Sequence, residues 1–506
     1  MTEDTVHKQT NKHIRGSGLL LSGRLLSIAL NLLTQVLIVR YLSKADYGVW
    51  AYTLALISTA TTLGCLGMER TVGRFIPIYE EEGKRASVAG TLVLAFATIA
   101  ALGFATVALV IGFRSLLSDT VIDNPAVISI LVVLIALAPV NAFSELLEGV
   151  FSAFGEPKII FLRKHVIGPS LKLAAIILTI AIGSNLHTLA IATVFAGVLG
   201  ILLYGVLLPK VLREHNLTQY FRPGMFSIEY RRLLRFCMPV FAADMAIALR
   251  VVLVILALEH FHNLTNVAEY RAVLPIARLN NVVLVNFSLL FLPLASKLFA
   301  QKSTALLGEI QSHVTLWVTV LSYPVFAACI SLSEPLTVLL LGERYSSAAP
   351  ILAILAVGYF FQAALGLNRQ SLRALGKVRV LLYIEIAATL IAVITALMLV
   401  PTFGAIGAAI ATTATVILYS IMNTIAWWRF TGDNPLPWVY ARVYLLAAAC
   451  ALGLWLVKPL AGIDSILLSL FLVGITSAIV ILSCWKLLRF SEIFPEALRL
   501  FRSMKR

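Results

Sequence analysis

The sequence predicts an all-α polytopic membrane protein with fourteen transmembrane helices. Three observations predict it. Hydrophobic residues make up 60% of the 506 residues and charged residues only 13%, far less charge than a soluble chain of this length carries. Fourteen apolar runs, each roughly 19–28 residues, are long enough to cross a bilayer as helices. Lysine and arginine gather in alternate links between those runs, the pattern that orients a membrane protein.

The first run covers 17–40. The polar leader before it, about 16 residues, is followed by no small-residue cleavage site, so the run reads as a retained first helix. Runs at 48–68, 88–113 and 127–150 follow. Those at 165–183 and 186–209 are joined through "GSNLH", a link so short that the two helices must be antiparallel neighbours. The seventh run, 236–258, opens after "EYRRLLRF" (Glu229 to Phe236). Then come 268–295, 312–333 and 346–367. Runs 379–400 and 403–428 meet at "PTFG", and 441–460 and 463–485 complete the set.

With the N-terminus inside, the inner links collect roughly 30 Lys and Arg and the outer ones about 5. The inner clusters are "GKR" (Gly83 to Arg85), "FLRKH" (Phe161 to His165), "EYRRLLRF" and the tail "RLFRSMKR". This asymmetry predicts a multi-pass protein of the inner (plasma) membrane with both termini cytoplasmic. It also accounts for the formal net charge of +15 without a nucleic-acid partner, since no basic–aromatic RNA-binding pattern is present. The five cysteines lie in or beside apolar runs with no CxxC spacing and read as small buried hydrophobes. His260 and His262 form a short "HFH", too little for a metal site, and nothing calls for a cofactor.

The chain repeats weakly. "LSKADYG" (Leu42 to Gly48) follows the first run and "LTNVAEYR" (Leu264 to Arg271) the seventh. "AFGEPK" (Ala153 to Lys158) follows the fourth and "ALGKVR" (Ala374 to Arg379) the tenth. Both pairs sit about 222 residues apart, which suggests duplication of a six-span unit in one orientation. The expected organisation is 1–225 as an N-terminal six-helix lobe, 226–430 as a C-terminal six-helix lobe, and 431–506 as two extra helices with a tail.

These features resemble the polysaccharide transporters of the multidrug/oligosaccharidyl-lipid/polysaccharide (MOP) flippase superfamily. The likeness rests on the six, six and two spans, on "RYLSKADYGVW" after the first, on "AFGEPK" and "RALGKVR" after the fourth and tenth, and on "LLRFCMPV" opening the seventh. The resemblance implies two lobes around a central cavity open alternately to each side. It implies a lipid-linked anionic oligosaccharide as cargo, flipped from the inner to the outer leaflet, with polysaccharide polymerase machinery as a partner.

Five basic residues stand inside the runs: Arg24, Lys172, Arg250, Arg271 and Arg278. A central Arg or Lys costs about 2.5–3.5 kcal/mol on insertion scales. Lys172 lies roughly 10 Å into its run, within snorkelling reach of the inner surface, and Arg278 roughly 15 Å, near mid-bilayer. Arg271 stands near the outer end of its run. Arg24, Asn31 and Gln35 share one helical face, as do Arg271 and Arg278 with Asn281 one turn on. Two readings stand for such stripes. One is a wet cationic cavity. The other is interhelical polar glue with structural ion pairs, for which Asp244, Glu145, Glu148 and Glu385 are the available acids. Arginine suits the first, because its planar fork fits phosphate oxygens and keeps its charge. Tyr204, Tyr359, Phe360 and Phe361 could stack on sugars or simply fill the core. The tail "SEIFPEALRLFRSMKR" can form an amphipathic helix on the inner leaflet, with Leu498, Phe501 and Met504 opposite Arg499, Arg502 and Lys505.

Three alternatives compete. A lipid II flippase would want the same cationic cavity. A cation-coupled drug exporter would want carboxylates in the N-terminal lobe, and the first run offers Arg24 and none. A membrane polymerase or ligase needs a large outer loop with catalytic groups, whereas the outer links here run about 4–14 residues, so an enzyme is not expected.

Overall fold

In the computed structural model the described residues are 3–116, 124–222, 224–300, 304–432, 438–460 and 466–484. Their regular structure is helical throughout. Among the described residues eleven helices are long and apolar enough to cross a membrane by length and composition. The chain is a multi-pass membrane protein. It divides into two compact units, Met1–Ala268 and Glu269–Arg506. The amphipathic tail expected at 491–506 lies outside the described residues.

In the first unit, α1 (Glu3–Tyr41) continues the apolar run back through the polar leader. At 1.5 Å per residue it is about 58 Å long, more than the hydrocarbon core of a bilayer. Ser43 caps α2 (Lys44–Cys65), its side chain accepting from the Asp46 amide at 3.0 Å. Leu66 and Gly67 both take left-handed φ (45° and 68°). They end α2, and the chain restarts as α3 (Met68–Glu81). The run expected to stop at 68 therefore carries on for another 13 residues. There follow α4 (Arg85–Gly112), α5 (Pro125–Leu134), α6 (Leu137–Ala153), α7 (Pro157–Ile182), α8 (Leu186–Glu214) and α9 (Tyr230–Phe261). The turn Phe161–Ile167 within α7 is a π-helix. Met68, Ile76, Leu146, Phe151, Tyr204 and Leu233 are buried in one core, which puts α3 at its centre. Phe104 and Leu109 of α4 and Phe195 and Val206 of α8 are exposed large hydrophobics, the surface expected where lipid is the solvent.

The chain enters the second unit along α10 (Leu264–Ala277). A 3-10 turn, Arg278–Asn281, separates α10 from α11 (Val282–Ala300). The run expected as one helix over 268–295 is therefore broken in its middle. Pro275, inside α10, lacks the N–H that would tie it to the preceding turn. Next come α12 (Thr304–Ser331), α13 (Ser333–Leu341), α14 (Ala349–Ala364), α15 (Asn368–Ala374), α16 (Val378–Thr431), α17 (Trp438–Leu460) and α18 (Ile466–Cys484). The runs expected at 379–400 and 403–428 both fall in α16. They are two helices joined at Gly404, whose φ of 55° and ψ of −130° suit only glycine. Phe291, Leu307, Val318 and Trp427 are buried together. Beside them runs a polar network. The Gln311 amide donates to Asn368 and its carbonyl accepts from Ser371 Oγ. Asn368 donates to Thr424 at 2.7 Å.

Candidate functional site

Two of the basic residues singled out in the sequence, Arg24 and Lys172, lie on α1 and α7. Arg24 is half-buried on α1. Its carbonyl accepts from Ser27 Oγ at 2.9 Å, and Ser27 lies 3.2 Å from His165 Nδ1 in the π-helical turn. Among the described residues no carboxylate lies within ion-pair distance of Arg24. Its companions on the polar face have other tasks. Asn31 donates to the Ser27 carbonyl at 2.7 Å, and Gln35 donates to the Tyr47 hydroxyl of α2. Lower on α7, the exposed Lys172 stands near a second cation, Arg163.

By sequence Arg163 belongs to the basic link "FLRKH", whereas the structure places it inside α7. The extra residue of a π turn shifts everything after it around the helix. Arg163 Nε reaches the Gly200 carbonyl at 3.3 Å, and its guanidinium lies 5.0 Å from the Tyr204 ring centroid. A Cβ at Gly200 would come within 3.2 Å of the guanidinium, so the glycine makes room for it. Tyr204 is fully buried beneath the cation and serves as core.

Asp244, Glu145 and Glu148 each have a partner other than Arg24. Asp244 on α9 pairs with Arg70 of α3 at 2.8 Å, and Arg70 also reaches Glu69 at 3.5 Å. Glu145 accepts from Cys65 Sγ at 3.4 Å, and Glu148 pairs with Lys164. The second apolar run ends at 68, two residues short of Arg70, so composition alone does not place this arginine inside a helix. Arg250 is half-buried on α9, two turns beyond Asp244.

In the second unit the 3-10 break carries the site. Arg278 is the first residue of the turn. Its Nε donates to the Tyr359 hydroxyl of α14 at 3.1 Å, with the guanidinium 5.9 Å from that ring's centroid. The hydroxyl of Tyr270, one helical segment earlier, bonds Thr412 Oγ1 at 2.8 Å. Asn281 donates to Gln362 of α14. The break is thus pinned to α14 at both ends, and the Arg278 side chain remains accessible. Broken helices at membrane depth occur where they line a protein or water-filled interior. Arg271 is half-buried on α10. Phe360 stacks on Phe326 with centroids 4.2 Å apart, so it belongs to the core, whereas Phe361 is exposed. Glu385 is engaged by Arg369 at 2.8 Å and by the Tyr419 hydroxyl at 3.1 Å, an ion pair confined to this unit.

Solved structures share this fold, three of them as follows. A lipid II flippase in an inward closed conformation superposes with a TM-score of 0.70 at 16% identity, over 93% of this chain and 100% of that one. An inward-facing multidrug resistance MATE family transporter of the MOP superfamily gives 0.68 at 15% identity, over 80% and 94%. A MOP superfamily transporter from Pyrococcus furiosus, described as having a binding pocket of reversed polarity, gives 0.58 at 17% identity, over 83% and 95%. By sequence, an uncharacterized membrane protein of Methanocaldococcus jannaschii is 23% identical over 92% of this chain and 93% of its own length. The profile of the family described as "Polysaccharide biosynthesis protein" matches residues 14–299. The chain belongs to that family.

Proposed function

We propose that this protein flips a polyprenyl-pyrophosphate-linked oligosaccharide from the inner to the outer leaflet by alternating access, for assembly of a surface polysaccharide. One observation carries the reading. Arg278 stands at the 3-10 break between α10 and α11, in the run that the sequence reads as a span, and the partner it bonds is a tyrosine, not a carboxylate. The same holds for Arg24, which no acid among the described residues neutralises. A permanent charge kept in apolar helices without an acid calls for an anion. With Nε given to Tyr359, the paired Nη groups are the edge that a phosphate would take bidentately. Arg24 meets the cargo's pyrophosphate from the inner half of the first span. Arg278 meets it nearer mid-bilayer, with Arg250, Arg271 and Lys172 along its path and Asn31, Gln35, Asn281 and Asp244 supporting the helices that hold them.

The reading includes fourteen spans with both termini cytoplasmic. Reporter fusions at His187, His262 and Phe403 then read extracytoplasmic, and those at Lys84, Met225 and the C-terminus cytoplasmic. The cargo is tested by mass spectrometry of polyprenyl-linked glycans in a deletion strain. Finished repeat units accumulate on the inner face. Finished units on the outer face in the absence of the protein would defeat the proposal, and accumulation of a peptidoglycan precursor would assign the same cationic path to lipid II.

A second reading has its own observation. Glu69, Glu145 and Asp244 gather around Arg70 and Cys65 in the first unit, which supplies carboxylates that a cation-coupled exporter needs. Export of a cationic dye that stops on Glu145→Gln, with lipid-linked glycans unchanged, would favour it.

A further inference from the structure

A second basic site lies away from Arg24, on the open face between α3 and the first turns of α9. Arg74, Arg231, Arg232 and Arg235 surround a groove of about 410 Å³ floored by Phe75 and Phe236. The two rings meet edge to face at 5.6 Å, and the Arg74 guanidinium lies 4.5 Å from the Phe236 centroid. Four like charges in one groove repel, so the sequence retains them at a cost unless something anionic fills it. The nearby acids do not spread over the cluster. Glu229 pairs with Arg232 at 3.3 Å, and Glu82 pairs with Lys84 at 2.7 Å and lies 3.9 Å from Arg232. Among the described residues no carboxylate lies within ion-pair distance of Arg74, Arg231 or Arg235.

The wall of the groove says what kind of anion fits. Along α9, Arg231, Leu234, Arg235 and Met238 occupy one face, three or four residues apart, and all four are exposed. A free phosphate would use the arginines alone. A ligand with a phosphate head and an apolar chain would also cover Leu234 and Met238, one turn further along the same face. We infer that this groove is a binding site for the phosphate headgroup of an anionic phospholipid, with its acyl chain laid along Leu234 and Met238. By the proposed topology the leaflet is the cytoplasmic one, but the groove's chemistry does not depend on that.

The test is native mass spectrometry of the full-length protein in detergent, titrated with phosphatidylglycerol or phosphatidylcholine. Phosphatidylglycerol binds the tighter. The triple variant Arg74→Gln, Arg231→Gln, Arg235→Gln weakens it at least about tenfold, since each basic group at a membrane surface contributes to the attraction. The control Lys158→Gln, Lys210→Gln, Arg213→Gln removes the same charge elsewhere and changes it less than about twofold. The triple Lys variant keeps every charge, reaches the membrane even if the Gln triple does not, and shows an intermediate loss because the planar fork is gone. Leu234→Ser with Met238→Ser weakens phosphatidylglycerol but leaves glycerol phosphate unchanged. Equal losses in the Gln triple and its control would reduce the site to bulk charge. Glycerol phosphate binding as tightly as the lipid would make the occupant a free phosphate. Either of these overturns the inference.

Discussion

Arg278→Ala separates a cargo-binding arginine from a structural one by the sign of its effect on stability. A central arginine costs about 2.5–3.5 kcal/mol to place in the membrane. Its bond to Tyr359, 3.1 Å long, is of the charge-assisted kind and returns about 1.5–3 kcal/mol. Alanine removes both. The balance runs from near zero to about 2 kcal/mol in favour of the variant, so Arg278→Ala should melt at the wild-type temperature or above it while export is lost. Tyr359→Phe keeps the ring and the cation but frees the guanidinium from its support. Losing about 1.4 kcal/mol of positioning would weaken apparent cargo affinity about tenfold, with maximal export rate less affected. The assays are thermal unfolding of the purified variants and outer-leaflet glycan measured in the complemented deletion strain. An Arg278→Ala protein that melts several degrees lower, or that exports at the wild-type rate, would refute the reasoning.

Three further outcomes are expected. Arg24→Ala should reach the membrane at normal abundance and fail to export, Arg24→Lys should retain part of the activity, and Arg24→Glu should be worse than Ala because it repels phosphate; immunoblotting beside the glycan assay checks the order. Asp244→Asn should cost about 1–2 kcal/mol, since the Arg70 side chain is 45% exposed and screening trims the pair, and the exchange of Arg70→Asp with Asp244→Arg should recover most of the lost melting temperature. Gly404→Ala should destabilise the fold by about 1–3 kcal/mol of strain, visible as an earlier unfolding transition.

The sequence exposed the helices far better than it exposed their interruptions. Apolar runs located nearly every long helix, because lipid imposes a composition on anything that crosses it. Breaks are written in one or two residues and are easily read through. Pro275 was visible, yet the run 268–295 stayed apolar across it, and only the structure shows the 3-10 turn that aims Arg278 at Tyr359. Leu66 in a left-handed conformation has no sequence signal, and stopping there hid Arg70. Without Arg70 in view, Asp244 stands among the acids available to the basic stripes. Arg163 was hidden differently. Its place depends on a π turn, and nothing in "FLRKHVI" distinguishes an extra residue per turn from an ordinary helix. The positions of Arg24 and Lys172 inside their helices were legible, since a cation in an apolar run stands out by composition alone.

The polar network beside the second unit's core has a consequence for how the chain is made. Gln311 is buried, and its partners Asn368 and Ser371 lie 57 and 60 residues further along the chain. At synthesis rates of about 5–20 residues per second, that separation is about 3–12 s. Throughout that interval α12 has been translated while the side chains that complete its amide have not. A glutamine stranded in hydrocarbon is costly, so α12 should linger at the edge of the insertion machinery, in contact with water or protein, and move into lipid only together with α14 and α15. Co-translational cross-linking from a photoreactive residue at Val314 would then persist until Ser371 has been synthesised, and Gln311→Leu would shorten it. The hydrogen bonds that order the finished core thereby also set a timetable for its delivery.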